Sequence, residues 1–544
     1  MANATTETGE IVVSNSTLSH LSQGIYRSTA AALKELVSNA YDADATEVLI
    51  STNYPYYSYI LCEDDGEGMT KEAFKEHFAN KGVGTSHRRR GGKDRTEKYN
   101  RPIIGRLGIG LFAIGQITKS FKIESHCERE GVKSAFRAEI TLSDLDIPTT
   151  EEQMIEENPQ KDDFIAGKYE LKDIDYDPDK KGFRIFSDDV RTSFIGEMER
   201  SKTKEEENGL PFRTSELHKK YFGKGNRTIN GKGPYLQAIW ELSMLCPLPY
   251  FGELPKYPID ISKFRKKEKE TEDFEKAKNL IKEKQEEFES QKFKVRFEGI
   301  NLKRFIELPT TDENYEDLKP KLYYFEFDDQ VYGERLKFRG YIFGQASQYI
   351  RPMELNGIQI RLRNVGIGCY DRTFLNYIEA VETMRSRWVS GEIFVEYGLE
   401  SALNLDRDSF NEHDEHYRTL QRELHNKLKV VLADLDRLGK ERRIGIRERK
   451  EEDYYSELKN IIEEDPALKQ KVKLEQLGRK KPTVTEKGNE IIVNTDPEPL
   501  KGKTRNKVYK AVTVAFDIAL QSENKEEQRK VFDRLLKELL EAVL

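Results

Sequence analysis

The sequence predicts an α/β protein in three parts: a layered α/β domain over residues 1–250, a second α/β domain over 251–411, and a mainly helical region over 412–544. Three observations carry this prediction. Short β-rich runs alternate with helical spacing and glycine over the first 250 residues, strand-like runs return after residue 295, and from about residue 412 the apolar spacing turns long and helical. A chain of 544 residues corresponds to three or four domains at about 150 residues each. That length is enough to bury real cores.

In the first part, Val48-Leu49-Ile50, Tyr59-Ile60-Leu61-Cys62 and Phe121-Lys122-Ile123 are the strand candidates. Trp240, which leads to Cys246-Pro247, is expected in the core of a domain junction. Residues 263–294 are rich in Lys and Glu and contain few breakers, which predicts a solvated helix or charged insert within the second domain. There the strand candidates are Lys321–Phe327 and Ile358–Leu362. Residues 412–458 are expected to be helical, followed by a short strand at Glu490–Val493 and two closing helices. The stripe Val508, Val512, Phe516, then Val531, Leu535 and Leu539, predicts core packing, with self-association as the alternative.

Composition narrows the function classes. Charged residues make up 34%, the apolar types 37% and aromatics 10%, a balance that excludes wholesale disorder. Lys and Arg number 90 against 97 Asp and Glu, for a net charge of −7. This lacks the global basic excess of a nucleic-acid coat and leaves only local patches. Cys62, Cys127, Cys246 and Cys369 stand singly without a C-x-x-C pair, so neither a zinc finger nor a disulfide scaffold is expected. A reducing cytoplasm fits that usage. The first thirty residues lack a signal-like pattern and no run of about eighteen apolar residues occurs, so a cytoplasmic chain without a membrane partner is expected.

Three segments carry chemistry. A helix through Glu35–Ala45 would place Glu35, Asn39 and Asp42 on one face. On it, Glu35 can polarise a water as general base, and the Asn39 carbonyl oxygen can complete a magnesium shell. The bland alternative is a solvated polar face. Ile60–Glu63 then runs as a strand into Asp64-Asp65-Gly66-Glu67-Gly68-Met69. A carboxylate at that strand end can accept from an adenine amino group, while glycines let the backbone approach a flat base. Its alternative is an ordinary Asp-Gly turn. Finally, Gly105-Arg106-Leu107-Gly108-Ile109-Gly110 opens a helix with bare backbone N–H groups suited to phosphate oxygens. No Gly-Lys-Ser/Thr follows, so this is not a P-loop.

In order and spacing, these segments resemble the GHKL ATPase superfamily of gyrase B, the ninety-kilodalton heat-shock chaperone, histidine kinases and MutL. The resemblance implies a Bergerat-type α/β sandwich that binds ATP or ADP with Mg2+. Glu35 is then the catalytic base, Asn39 the magnesium ligand and Asp64 the adenine reader. Gly66, Gly68 and Met69 line the base pocket, and Gly105, Gly108 and Gly110 form the phosphate-gripping lid hinge. Residues 81–102 occupy the place of the family's ATP lid, where Thr85 and Ser86 are nucleotide contacts; the run Arg88-Arg89-Arg90 favours a solvated loop. The family's Gly-Thr pair is missing, the nearest candidate being Gly182-Phe183.

Residues Gly357–Ile367 and Ser401–Phe410 resemble the middle transducer domain of the chaperone branch and its MORC and MutL relatives. This makes Arg407 the candidate γ-phosphate sensor; the alternative is a surface arginine paired with Asp406 or Asp408. No histidine sits in a phosphoacceptor helix, which argues against a kinase. The expected function is an ATP-hydrolysing conformational machine, a homodimer acting on a protein client or partner effector. The alternatives are a nucleic-acid clamp of the MORC or MutL kind, in bacterial defence or repair, and a nucleotide-gated scaffold with negligible turnover.

Overall fold

The computed structural model describes residues 6–14, 28–78, 95–105, 110–129, 131–142, 163–200, 213–223, 225–251, 268–306, 321–345, 349–377, 387–404, 408–464, 472–475, 483–487, 490–494, 530 and 534. Met1–Leu435 form one compact unit and Asp436–Leu544 a second.

The first unit holds two sheets. The larger is built from β1 (Thr6–Ser14), β2 (Glu47–Ser51), β3 (Ile60–Asp64), β4 (Thr118–Arg129), β5 (Val132–Leu142), β6 (Asp163–Asp173), β7 (Gly182–Val190), β8 (Lys294–Phe297) and β9 (Ile300–Asn301). Its order is β1-β6-β5-β4-β7-β3-β2-β8-β9. Neighbours run antiparallel except β2 and β8, which are parallel. The second sheet contains β10 (Lys321–Val331), β11 (Glu334–Gly344), β12 (Gly357–Leu362), β13 (Val365–Asp371) and β14 (Val389–Tyr397), in the order β10-β11-β14-β12-β13. The expected strand runs fall within β2, β4, β10, β12 and, apart from Tyr59, β3.

Helix α1 (Thr29–Asp42) organises the first sheet's core. Ser28 caps it, its Oγ accepting the Ala31 N–H at 3.2 Å, which satisfies one of the donors a helix start leaves open. The alanine- and leucine-rich run that follows favours helix. The helix ends where the Ala43 N–H turns back to the Ala40 and Asn39 carbonyls and Asp44 adopts φ 56°. Helix α2 (Lys71–Phe78) packs on the same sheet, α3 (Thr192–Arg200) lies against α4 (Pro234–Leu245), and α4 lies against α1. These elements share a core with Val48, Ile50, Ile60, Cys62, Ile123 and Ile185, alternate residues of the central strands. Trp240 is buried there, beside Phe222.

The charged stretch becomes α5 (Glu268–Ser290), which is more than a solvated helix. Phe274, Ala277, Leu280, Ile281 and Phe288 form a buried stripe at helical spacing, and the helix packs against β10 and β11. It leads directly into β8, which extends the first sheet. That sheet thus takes its last two strands from beyond residue 250. Charge density concealed the stripe because the lysines and glutamates occupy the other faces.

A long helix, α6 (Glu415–Glu464), begins in the first unit. Tyr417, Leu420, Leu424, Leu428, Val431 and Leu435 are buried along it. Asp434 accepts from Lys321 Nζ at 2.8 Å and the Tyr323 hydroxyl at 2.7 Å. The second unit contains a small sheet of β15 (Val472–Glu475), β16 (Thr483–Lys487) and β17 (Glu490–Asn494), in the order β15-β17-β16. The expected strand at Glu490–Val493 is β17; its two partners are too short and polar to signal themselves. The stripe from Val508 to Leu539 lies outside the described residues. No helix among those described is long and apolar enough to cross a membrane.

Candidate nucleotide site

The three segments meet at the C-terminal end of α1. The Ala43 carbonyl accepts the Glu67 N–H at 2.8 Å, which docks the Asp64–Met69 loop. From the same helix turn, the Asp42 carboxylate accepts the Ile104 N–H at 2.8 Å and the Gly105 N–H at 2.5 Å. The strand-end loop and the glycine stretch are therefore both anchored to one helix. Asp42, which the sequence places on one face of the helix with Glu35 and Asn39, anchors the stretch's first peptides.

On α1, Glu35 is buried at 1% exposure, whereas Asn39 alone between Ala30 and Ala45 is exposed. Glu35 lines a cavity with Lys34, Ser38, Ile104 and, from the second sheet's side, Arg363, Val365, Glu400 and Leu403. A carboxylate so enclosed keeps its position and has little competing solvent.

The two aspartates at the end of β3 have different tasks. The Asp65 carboxylate accepts the Thr46 N–H at 2.6 Å and the Glu47 N–H at 2.8 Å, capping the start of β2. Asp64 Oδ1 accepts the Gly66 N–H at 2.9 Å. A Cβ on Gly66 would come within 2.8 Å of both the Ala43 carbonyl and Asp64 Oδ1, and Gly68 has φ +70°. Only glycine fits both positions. Next to them Gly182 adopts φ +128°, where a Cβ would run into the Asp64 carbonyl. The glycine backbones thus pack closely around the end of β3, with no side chain between.

Phe183 follows at the place of the family's missing threonine, its ring partly buried against the core. Opposite it on β4 stands Ser125, which sequence reasoning missed. Its hydroxyl accepts the Met69 N–H at 2.8 Å and donates to the Met69 carbonyl at 2.9 Å. Nothing in the sequence marks Ser125, since only the sheet register brings it to Met69.

A second missed pair links α1 to the segment that follows β14. Lys34 Nζ lies 2.8 Å from Asp408 Oδ1, with side-chain exposures of 2% and 12%. Asp408, one of the two carboxylates that the alternative reading offers Arg407, pairs with the residue preceding Glu35. Arg407 itself lies outside the described residues, as do Thr85, Ser86, Arg88–Arg90, Arg106, Leu107, Gly108 and Ile109. Gly110 starts a 3-10 helix, Gly110–Gln116, against α1.

These features fit a purine nucleotide with a divalent ion: a glycine-shaped cradle beside a carboxylate, an exposed amide one turn from a buried acid, and an anchored glycine stretch. Among the described residues, no group of three or more His, Cys, Asp or Glu is arranged to hold a metal. Magnesium would therefore draw on the Asn39 carbonyl together with phosphate and water oxygens.

Residues 26–164 match the family of histidine kinase-, DNA gyrase B-, and HSP90-like ATPases, so this part of the chain resembles a GHKL-type ATPase domain. A provisionally assigned type II restriction enzyme of Herpetosiphon aurantiacus, HgiDII, is 36% identical over 127 residues, which is 23% of this chain and 19% of that protein. The chain thus matches about a fifth of that relative's length. A solved structure described as the N-terminal domain of a DNA repair protein aligns at TM-score 0.35 and 10% identity, covering 76% of this chain and 97% of that one. At that level the likeness carries no argument.

Proposed function

We propose that the protein binds and hydrolyses ATP with magnesium and uses the second sheet's lobe to report the nucleotide's state. The observation that carries this reading is the meeting of the Glu35 helix, the Asp64 loop and the Gly105 stretch at one helix end. In this mechanism Asp64 accepts from the adenine amino group. Gly66, Gly68 and Met69 shape the base pocket, and Asn39 would hold a magnesium ion, which would supply charge neutralisation at the phosphates. Glu35 takes a proton from the attacking water. Thr85, Ser86, Arg106, Leu107, Gly108, Ile109 and Gly110 are proposed as further nucleotide contacts. The Lys34–Asp408 pair supports Arg407 as sensor, because it holds the adjoining residue against the helix that carries Glu35.

The domain division at residues 250 and 411, homodimer formation and action on a protein client or effector belong to the same reading. A nucleic-acid clamp is the second, favoured by the restriction-enzyme assignment of the HgiDII relative. Calorimetric titration with ATP and magnesium, followed by phosphate release with and without duplex DNA, tests both. Binding near micromolar with DNA-independent release supports the client reading; stimulation by DNA that fades with salt supports the clamp. Absence of binding by folded protein removes both. Asp64→Asn is expected to weaken binding at least about tenfold, because the amide faces the adenine amino group with a donor in place of an acceptor. Unchanged affinity would take Asp64 out of the base pocket.

A further inference from the structure

We propose that Arg363 is a positioning residue that clamps the entrance of the glycine stretch to the second sheet. The inference rests on the nucleotide reading for its effect on turnover, but the clamp itself stands on geometry. Arg363 and Asn364 form the two-residue turn of the β12–β13 hairpin, with φ 52° and 72°. Two positive values in succession mark the turn type that favours Asn-Gly, so an arginine at its first position is held against its backbone preference.

Its side chain reaches out of the hairpin in two directions. Nη1 donates to the Ile103 carbonyl at 2.8 Å; Nε and Nη2 donate to Glu400 Oε1 at 3.0 and 2.9 Å. The tip is braced from behind, since Asn364 Nδ2 donates to Glu287 Oε1 at 2.6 Å and Arg361 Nη1 donates to the Asn364 carbonyl at 3.1 Å. Beyond Ile103, the next two N–H groups are those held by Asp42. Three consecutive backbone positions at the mouth of the glycine stretch are therefore fixed from opposite sides: by the helix that bears Glu35, and by the hairpin of the other sheet. Arg363, Ile104, Glu400 and Glu35 also line one cavity. A shift of the hairpin tip is thereby transmitted to the Ile104 and Gly105 peptides that lead into the glycine stretch, without Arg363 touching the nucleotide.

The test combines hydrogen exchange with kinetics on the full chain. In Arg363→Ala, amide exchange at Ile104 and Gly105 is expected to rise about tenfold, the scale of one lost charge-assisted hydrogen bond. Exchange in α1 and in β10–β11 should stay at wild-type rates. With ATP, kcat should fall about tenfold while nucleotide Kd moves less than about twofold, and Arg363→Lys should recover part of kcat. A purely structural role would instead raise exchange throughout the second sheet and lower both parameters together. Wild-type exchange at Ile104 and Gly105 in Arg363→Ala overturns the clamp. Should that variant not fold, Glu400→Gln loosens the same guanidinium, and unchanged exchange there overturns it equally. Wild-type protein that takes up no ATP while Arg363→Ala still loosens the two amides refutes the nucleotide reading and leaves the clamp standing.

Discussion

Glu35→Ala removes turnover and spares binding: phosphate release is expected to fall by roughly 10²- to 10⁴-fold, the usual contribution of a positioned base, while calorimetric Kd for ATP stays within about threefold. The split follows from where the carboxylate sits. Glu35 lines a cavity between α1 and the second sheet, and Asp64, Gly66 and Gly68 are not among that cavity's lining residues. Its loss should therefore affect the step that needs a water deprotonated more than the step that seats the base and phosphates. Glu35→Gln keeps the volume and should be nearly as slow, which separates loss of the base from collapse of the cavity. A variant that hydrolyses ATP near the wild-type rate would strip Glu35 of the base role and shift attention to another group at the cavity wall.

How much of this was legible in the sequence depends on the range of the interactions involved. The acidic helix and the strand ending in Asp64 are local patterns with local causes, and each appears where the spacing predicted an element; past the glycine stretch, Gly110 opens a 3-10 helix. Their convergence at one helix end relies on backbone groups: the Ala43 carbonyl, and the Ile104 and Gly105 N–H groups. Side-chain identity does not encode these. Ser125 and Lys34 were invisible for the same reason, because their partners lie 56 and 374 residues away in the chain. The stripe of α5 was present in the sequence but submerged in a run of lysines and glutamates. Arg363 is a further case: an arginine at a strand end is unremarkable until the turn's positive φ values and the Ile103 carbonyl are known.

The largest stability effect is expected from Glu392, in β14. It is fully buried between Arg304 and Arg361, its Oε1 accepting from them at 2.9 and 2.7 Å. Oε2 accepts from the Tyr250 and Tyr341 hydroxyls at 2.5 and 2.7 Å. Burial by itself would raise the carboxyl pKa; the two guanidiniums and the two hydroxyls outweigh it and hold the group at about 2. Glu392→Gln leaves two enclosed guanidiniums without a counter-charge, so a loss of about 3–5 kcal/mol is expected at pH 7 from urea unfolding. Because the folded pKa lies below the ordinary carboxylate value near 4.3, the wild-type contribution is complete above that value and is lost as pH falls through about 2. The gap between wild type and variant should accordingly narrow in acid; a gap that stays constant down to pH 2 would mean that the charge is not what stabilises the node. The consequence reaches the site, because Arg361 Nη2 also donates to the Met244 carbonyl at 2.5 Å, in α4, the helix that packs on α1. Loosening the node should free the second sheet from α4, open the cavity beside Glu35, and slow turnover in protein that is still folded at pH 7.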